Sequence, residues 1–510
     1  METEIELKFA VDTQAEHDSE AVLTQIKSLV EPWLQNQGYS QKKLSNIYFD
    51  TPEQKLRAYD CGLRIRSVDN QAEQTLKTAG TCVGGLHKRP EYNIAVEQQQ
   101  PDLSLFPVDA WPEQFDWQDA QSQLIALFAT DFVRHKWRIQ IEQCQIEVVY
   151  DLGEVSAQGN QVAINEIEIE LIDGDMRELF SLAHKLTEKL PLRLSNDSKA
   201  ARGYRLFLNQ TNQIKPSLGV VKLSADMDVE QAFSNSIQHG LAYWQYHEEL
   251  FASQSDLKAV RHVQRGVWLV RHTFWLFRNY IPKKASTELR KELKWLSKEF
   301  DWLDNALHVK QLTSKKGQFR KKVADDEKLL AYLEDKVIVE ECVARARNLF
   351  YSARYNALIL KLMRWLTERG WRCYSEIDEQ ALQANICAVA RALNQNSWIK
   401  IQRLMPLKSS YSAIDYIQLE RSIGRALLTG VCVGSLFAED ERLDFRAPWL
   451  DIMQGIADLK TLFSFKLCIE LYPEENKPEL EIWADAKINS LVSIMEQSRQ
   501  SALRMEPYWH

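Results

Sequence analysis

The sequence predicts an α+β domain of mainly antiparallel strands followed by an all-α domain, and three observations predict it. Up to about Leu208 the chain alternates at period two: TEIELKF, LRIRSV, IEVVYD and NEIEIEL put every second side chain on one face, as half-buried strands do. From about Val229 the apolar period becomes that of an amphipathic helix, as in LKAVRHVQRGVWLVRHTFWLF and EKLLAYLEDKVIVEECVARARNLF. Finally, 510 residues exceed what one hydrophobic core accommodates. The polar QTNQIKPSLG, Gln210 to Gly219, separates the two patterns with a Pro and a Gly. The expected division is a first domain at 1–208, a linker at 209–222 and a helical domain at 223–510.

In chain order, TEIELKF opens the first strand, and EAVLTQIKSLVEPWLQNQ, near residues 20 to 37, has the spacing of a helix. LRIRSV, TLK, HKRPEYN, IEVVYD and NEIEIEL then supply strand segments, before a second helix at 177–190, RELFSLAHKLTEKL. No Gly-rich phosphate loop and no dinucleotide fingerprint interrupts them, so phosphate chemistry in this chain must use side chains.

Composition excludes several classes. Lys and Arg number 63 against 71 Asp and Glu, a net charge of −8, which disfavours extended nucleic acid and anionic membrane as partners. The opening METEIELKFAV lacks the basic-then-apolar layout of a secretory signal, so no export is expected. The longest apolar stretch, Leu427 to Phe437, is broken by Gly430 and Gly434 and is too short to cross a bilayer. Eight scattered cysteines without a C-x-x-C pair point to buried thiols in a reducing cytoplasm, with neither zinc nor disulfides.

What sets the strands apart is their polar face. Glu4, Glu6 and Lys8 share one face, Arg64 and Arg66 another, and Lys77 follows on the next strand. Arg89 and Glu91 lie two apart, Glu147 and Asp151 four apart, and Glu166, Glu168 and Glu170 alternate with isoleucines. One such face is ordinarily solvated, but here Leu63, Ile65, Ile167, Ile169 and Leu171 require a dry partner on the opposite side. A closed sheet of about eight strands, apolar outside beneath helices and charged within, satisfies both demands. Such a lumen needs ligands or mutual pairing. Carboxylate oxygens without nearby His or Cys favour Mg²⁺ or Mn²⁺, and Arg with Lys favours phosphate, so the chemistry expected is that of a metal and a polyphosphate.

At these residues the sequence resembles the CYTH domain, the triphosphate tunnel metalloenzyme superfamily. E-I-E-L-K, L-R-I-R, T-L-K and E-I-E-I-E-L carry the likeness over residues 1 to 208. HKRPEYN, DAWPEQFDWQDAQSQLIALFATDFVRHKW and SKAARGY narrow it to bacterial inorganic triphosphatases that continue into a helical CHAD domain. The resemblance implies an eight-stranded antiparallel β tunnel with flanking helices, then an all-α helical bundle, and hydrolysis of tripolyphosphate with a divalent metal in the cytoplasm. By the same resemblance Glu4, Glu6, Glu168 and Glu170 are metal-binding and, together with Lys8, catalytic, with Asp151 and Glu91 as further acidic positions. Lys8, Arg64, Arg66, Lys77, Arg138 and Lys199 would grip phosphate, and Arg89, Arg134 and Arg202 would form an outer basic set. Glu166 fits either the acidic set or a salt bridge to a tunnel Arg. Alternatives in the same tunnel are thiamine triphosphate, an RNA 5′ end, ATP cyclisation, or polyphosphate held without turnover.

Residues 220 to 510 resemble a CHAD domain, a family associated with polyphosphate binding, with departures at its basic positions. Arg261 stands where the family has His, Gln264 where it has Arg, and Trp268 and Leu269 occupy basic positions; Arg271 remains, and Leu303 replaces the Arg before Asp304. Arg261, Arg265 and His272 read as a solvated basic stripe, and His262 and His308 as surface or capped-core histidines. Trp244, Trp268, Trp275, Trp295, Trp302, Trp365, Trp371 and Trp398 read as core. Helix packing or partner docking is the role expected of this half.

Overall fold

The computed structural model describes residues 2–12, 19–68, 71–97, 100–374 and 376–510. The alternating segments form β1 (Glu2–Val11), β2 (Leu34–Asp50), β3 (Gly62–Val68), β4 (Gln71–Lys77), β5 (Thr81–Val83), β6 (Leu86–Val96), β7 (Ile125–Ile141), β8 (Cys144–Ala157), β9 (Asn160–Asp173) and β10 (Leu192–Leu194). They hydrogen-bond in the order β10-β1-β9-β8-β7-β2-β3-β4-β6-β5, and β1 also pairs with β6. That last pairing closes eight antiparallel strands into a barrel and leaves β5 and β10 as short additions.

Closure puts the apolar rows outside. Leu7, Phe9, Ile167 and Ile169 are fully buried. The helix α2 (Met176–Lys189) packs on β9, and α1 (Ser19–Val30) packs on α2. The predicted helix to residue 37 is shorter in the structure: α1 ends at Val30, a 3₁₀ turn at Glu31–Trp33 contains Pro32, and Leu34 already begins β2. A proline there removes a helical donor and turns its predecessor away from helix. Elsewhere the cover is not helical. Leu63, Ile65, Leu76 and Tyr92 are roofed by Leu103, Phe106, Trp111 and Phe115, from a loop whose regular elements are two 3₁₀ turns and one seven-residue helix, Trp117–Gln123.

A further helix, α3 (Lys199–Phe207), fills part of the barrel interior. Its Tyr204 packs on Phe128 in a cluster with Leu44, Tyr48, Phe132, Val155 and Ile164, all on the inward rows of their strands. A Cβ on Gly203 would lie 2.0 Å from the Phe128 ring, so this close approach requires glycine. The Tyr204 hydroxyl donates to Asp50 Oδ2 at 2.7 Å; Asp50 also accepts from the backbone N–H of Thr51, Leu56 and Arg57.

The chain forms two compact units, one of Met1–Gln213 with Asn348–Arg369, the other of Ile214–Arg347 with Gly370–His510. In the first, the helix Ala353–Thr367 packs on α2 and β10. The buried amide of Asn356 takes the Leu194 N–H at 3.1 Å and donates to the Leu192 carbonyl at 2.8 Å, completing β10.

In the second unit, α4 (Val229–Gln254) and α5 (Leu257–Leu276) bury Phe233, Ile237, Trp244, Val267 and Phe274 against one another and their neighbours. The expectations for this unit fare differently. His272 is buried against Thr429 rather than solvated, Arg261 pairs with Asp304, and Arg265 donates to the Pro216 carbonyl at 3.3 Å. His262 bonds Tyr243 inside the core and His308 meets Ser464 at 3.2 Å, whereas Trp268 is 38% exposed. Of the cysteines, Cys61, Cys144 and Cys432 are buried, Cys82 and Cys373 exposed, and the other three intermediate; all eight are free. Among the described residues no helix is long and apolar enough to cross a membrane.

Candidate functional site: a charged barrel lumen

Directly opposed residues of antiparallel strands share a face, so the register decides which charges meet. Glu6 lies opposite Glu170 and Lys8 opposite Glu168 on the β1–β9 ladder. Glu147 lies opposite Glu170 and Asp151 opposite Glu166 on β8–β9, and Arg134 and Arg138 face Asp151 and Glu147 on β7–β8. Around the other wall, Glu4 opposes Arg89, Lys77 opposes Glu91, and Asn46 opposes Arg66. Each named residue therefore belongs to the inward row.

Next to α3 the charges are mutually satisfied. Arg134 grips Asp151 with two bonds of 2.8 and 2.7 Å and reaches Glu168 at 3.0 Å. Ser198 caps α3, its side chain accepting the Ala201 N–H, and this starts the helix so that Lys199 and Arg202 emerge one turn apart. Lys199 bonds Asp151 at 2.7 Å, Glu168 at 3.0 Å and also Glu166, whose other oxygen holds Arg202. Burial opposes ionisation of Asp151 and Glu168, but Arg134 and Lys199 prevail and hold both carboxyls below their ordinary range. Glu166 is thus a salt-bridge partner in this structure.

Farther along the lumen the balance fails in both directions. Among the described residues, Lys8 makes no ion pair; it is 3% exposed and its ammonium donates to the Asp197 carbonyl at 2.7 Å. Arg66 likewise has no acidic partner, only Asn46 Oδ1 at 2.9 Å, and burial with Arg64 and Arg134 nearby pulls its pKa down to about 9. Conversely Glu6 and Glu170 have no basic partner within ion-pair distance among the described residues. Burial, then Glu4 and Glu168, push Glu6 up to about 7; burial, then Glu4, Glu147 and Glu6, push Glu170 up to about 8. Between these groups Lys77 bridges Glu4 at 2.5 Å and Glu91 at 3.1 Å, with Arg64 3.6 Å from Glu91.

Two predicted positions stand apart. Arg89 turns to the exposed Asp60 at 2.9 Å, and Arg138 is 62% exposed while touching Glu147 at 3.3 Å. Sequence reasoning missed Lys136, which pairs with Glu147 at 2.8 Å, although Arg134-x-Lys136-x-Arg138 is itself an alternating row. It also missed Asn46, which is buried between Arg66 and Thr130.

The donor set fits a hard divalent cation: carboxylate oxygens, with no thiol among them. Asp151, Glu166 and Glu168 bring one oxygen each within 4.8 Å of one another, but three basic side chains already neutralise that trio. Glu6 and Glu170, with Glu4 beside them, are the carboxylates that lack compensation, and a dication there would supply it.

Comparison with known proteins finds two domain families along the chain. Residues 2–204 match the model of the CYTH domain, and residues 235–440 match that of the CHAD domain. An inorganic triphosphatase of Haemophilus influenzae is 35% identical over 212 residues, which are 41% of this chain; the chain spans about half, 56%, of that relative. Among solved structures, a putative adenylyl cyclase from Hippeastrum with a dominant triphosphatase activity aligns at 18% identity. It covers 42% of this chain and 99% of its own, with a TM-score of 0.29. The CHAD domain from Ricinus communis aligns at 14% identity over 57% of this chain and 98% of its own, with a TM-score of 0.42.

Proposed function

We propose that this chain, which carries a CYTH domain over residues 2–204 and a CHAD domain over residues 235–440, hydrolyses inorganic triphosphate to diphosphate and phosphate in a metal-dependent reaction. The observation that carries the reading is the double imbalance of the lumen: Lys8 and Arg66 without anions, Glu6 and Glu170 without cations. A polyphosphate with a divalent cation satisfies all four at once.

Glu4, Glu6 and Glu170 would hold Mg²⁺ or Mn²⁺, with Glu168 at the edge of the set. A bound ion supplies charge neutralisation and a water of lowered pKa. Lys8 and Arg66 bind phosphate oxygens, one as a point charge and the other as a planar fork. Arg64 and Lys77, partly engaged by Glu91 and Glu4, can extend that grip along the anion. Arg134 and Lys199 sit deeper, where they fix Glu168 and Asp151 in place. Water oxygen bonds to the terminal phosphorus as the P–O–P bond breaks, leaving diphosphate and phosphate, with positioning and electrostatics providing the rate.

Glu6→Gln and Glu170→Gln are each expected to lower phosphate release from tripolyphosphate with Mn²⁺ by about 100-fold or more while leaving the circular dichroism spectrum unchanged. Undiminished release from either variant would overturn the metal assignment. Nucleotide chromatography alongside tests the cyclase alternative, which cyclic AMP from ATP would establish.

A further inference from the structure

The helical unit contains a recess that the barrel chemistry does not use. It lies among α6 (Ile386–Leu404), α7 (Ala413–Val433), α8 (Glu439–Ile469) and the chain's last residues, and is partly open to solvent. Trp398, Phe445, Trp449, Tyr508 and Trp509 give it an aromatic wall, with ring centroids 4.9 to 6.4 Å apart. Such a wall accepts a flat or branched apolar body.

Its polar atoms point to one kind of head group. Trp449 is 4% exposed and its Nε1 has no acceptor among the described residues, while the buried Asn394 lies beside the Tyr508 hydroxyl. Arg446 also lines the recess, makes no ion pair among the described residues, and its Nε lacks an acceptor. The neighbouring Arg442 meets the exposed Glu439 at 3.3 Å and is not among the residues that line the recess, so Arg446 is the guanidinium that faces it. Both groups, the Trp449 and Arg446 N–H, are donors, and a half-buried guanidinium without an acidic partner favours an anion. A polyphosphate needs several cations and a hydrated surround, whereas one guanidinium in an aromatic recess matches one carboxylate on an apolar body. Phe445, Arg446, Trp449, Tyr508 and Trp509 all lie beyond residue 440, where the CHAD match ends.

We propose that this recess binds a small amphipathic carboxylate, its head held by Arg446 and its apolar body seated among the aromatic side chains. Calorimetric titration of the full chain with benzoate, benzyl alcohol and inorganic phosphate tests it. Benzoate should bind saturably, and Arg446→Gln should weaken it by about 10- to 100-fold, the usual weight of a charge-assisted bond. Ala426→Leu, which fills the recess without touching the arginine, should remove binding, and benzyl alcohol should bind at least about ten-fold more weakly than benzoate. The circular dichroism spectrum and thermal unfolding midpoint should be unchanged in both variants, which reports that they fold. Absence of saturable benzoate binding, equal binding of benzyl alcohol, displacement by phosphate, or indifference to both substitutions would overturn the proposal.

Discussion

Glu6 and Glu170 oppose one another across the β1–β9 ladder, and each is harder to ionise in the folded chain than in the unfolded one. The sign follows directly. Groups whose folded pKa is raised contribute stability that is complete below the ordinary carboxyl value of 4.5 and is lost as pH rises through about 7 and 8. Without divalent cations the barrel should therefore weaken between pH 5 and 8, and Glu170→Gln should flatten that loss and be about 1–2 kcal/mol more stable at pH 8. Adding Mn²⁺ reverses the comparison, stabilising the parent chain and not the variant. Urea titrations at the two pH values, with and without the ion, measure both effects; a variant less stable than its parent at pH 8 without metal would contradict the assignment. At this scale the sequence was legible where period two and like charge coincide, as in Glu4-x-Glu6-x-Lys8. It was silent on partnership, because the register that sets Glu168 beside Arg134 and Lys199, but leaves Glu170 alone, is a tertiary property.

The strand elements were readable because one apolar row and one charged row leave a strand a single way to face. Helix α1 was read too long, since its apolar spacing runs on past Pro32 into residues that the β2–β7 ladder claims. The helix Ala353–Thr367 was recognisable as a helix, but nothing in its periodicity says which core it serves. Its Tyr355, Leu358, Ile359, Leu362 and Met363 are buried in the unit that contains the barrel, and Asn356 completes the backbone bonding of β10. Asn356→Ala leaves the Leu194 N–H and the Leu192 carbonyl without this partner in a dry setting, at about 2–4 kcal/mol. Loss of the proposed tripolyphosphatase activity with urea should accordingly shift to lower denaturant in this variant, although residue 356 lies outside the CYTH match. An unshifted midpoint would show that β10 does not need the amide.

For the molecule as a whole, a net charge of −8 argued against polyanions and still does for an extended one. It says little about a lumen in which Lys8, Arg64, Arg66, Lys77, Arg134 and Lys199 are gathered behind an apolar shell, since burial concentrates a local field that the global sum averages away. The two-domain reading meets a similar limit. Two sequence patterns meet near residue 215, yet Asn348–Arg369 belongs to the same compact unit as the strands. If the units are the cooperative ones, ligand binding in the lumen should raise protection through unit one wherever its residues fall in the sequence. Hydrogen exchange with Mn²⁺ and a non-hydrolysable triphosphate is therefore expected to slow exchange in β1, β9 and residues 353–367 together. The helices on either side in sequence, Val339–Phe350 up to Arg347 and α6, should exchange unchanged. If residues 353–367 instead keep pace with α6, the helix follows its sequence neighbours, and the boundary belongs where the sequence patterns alone would put it.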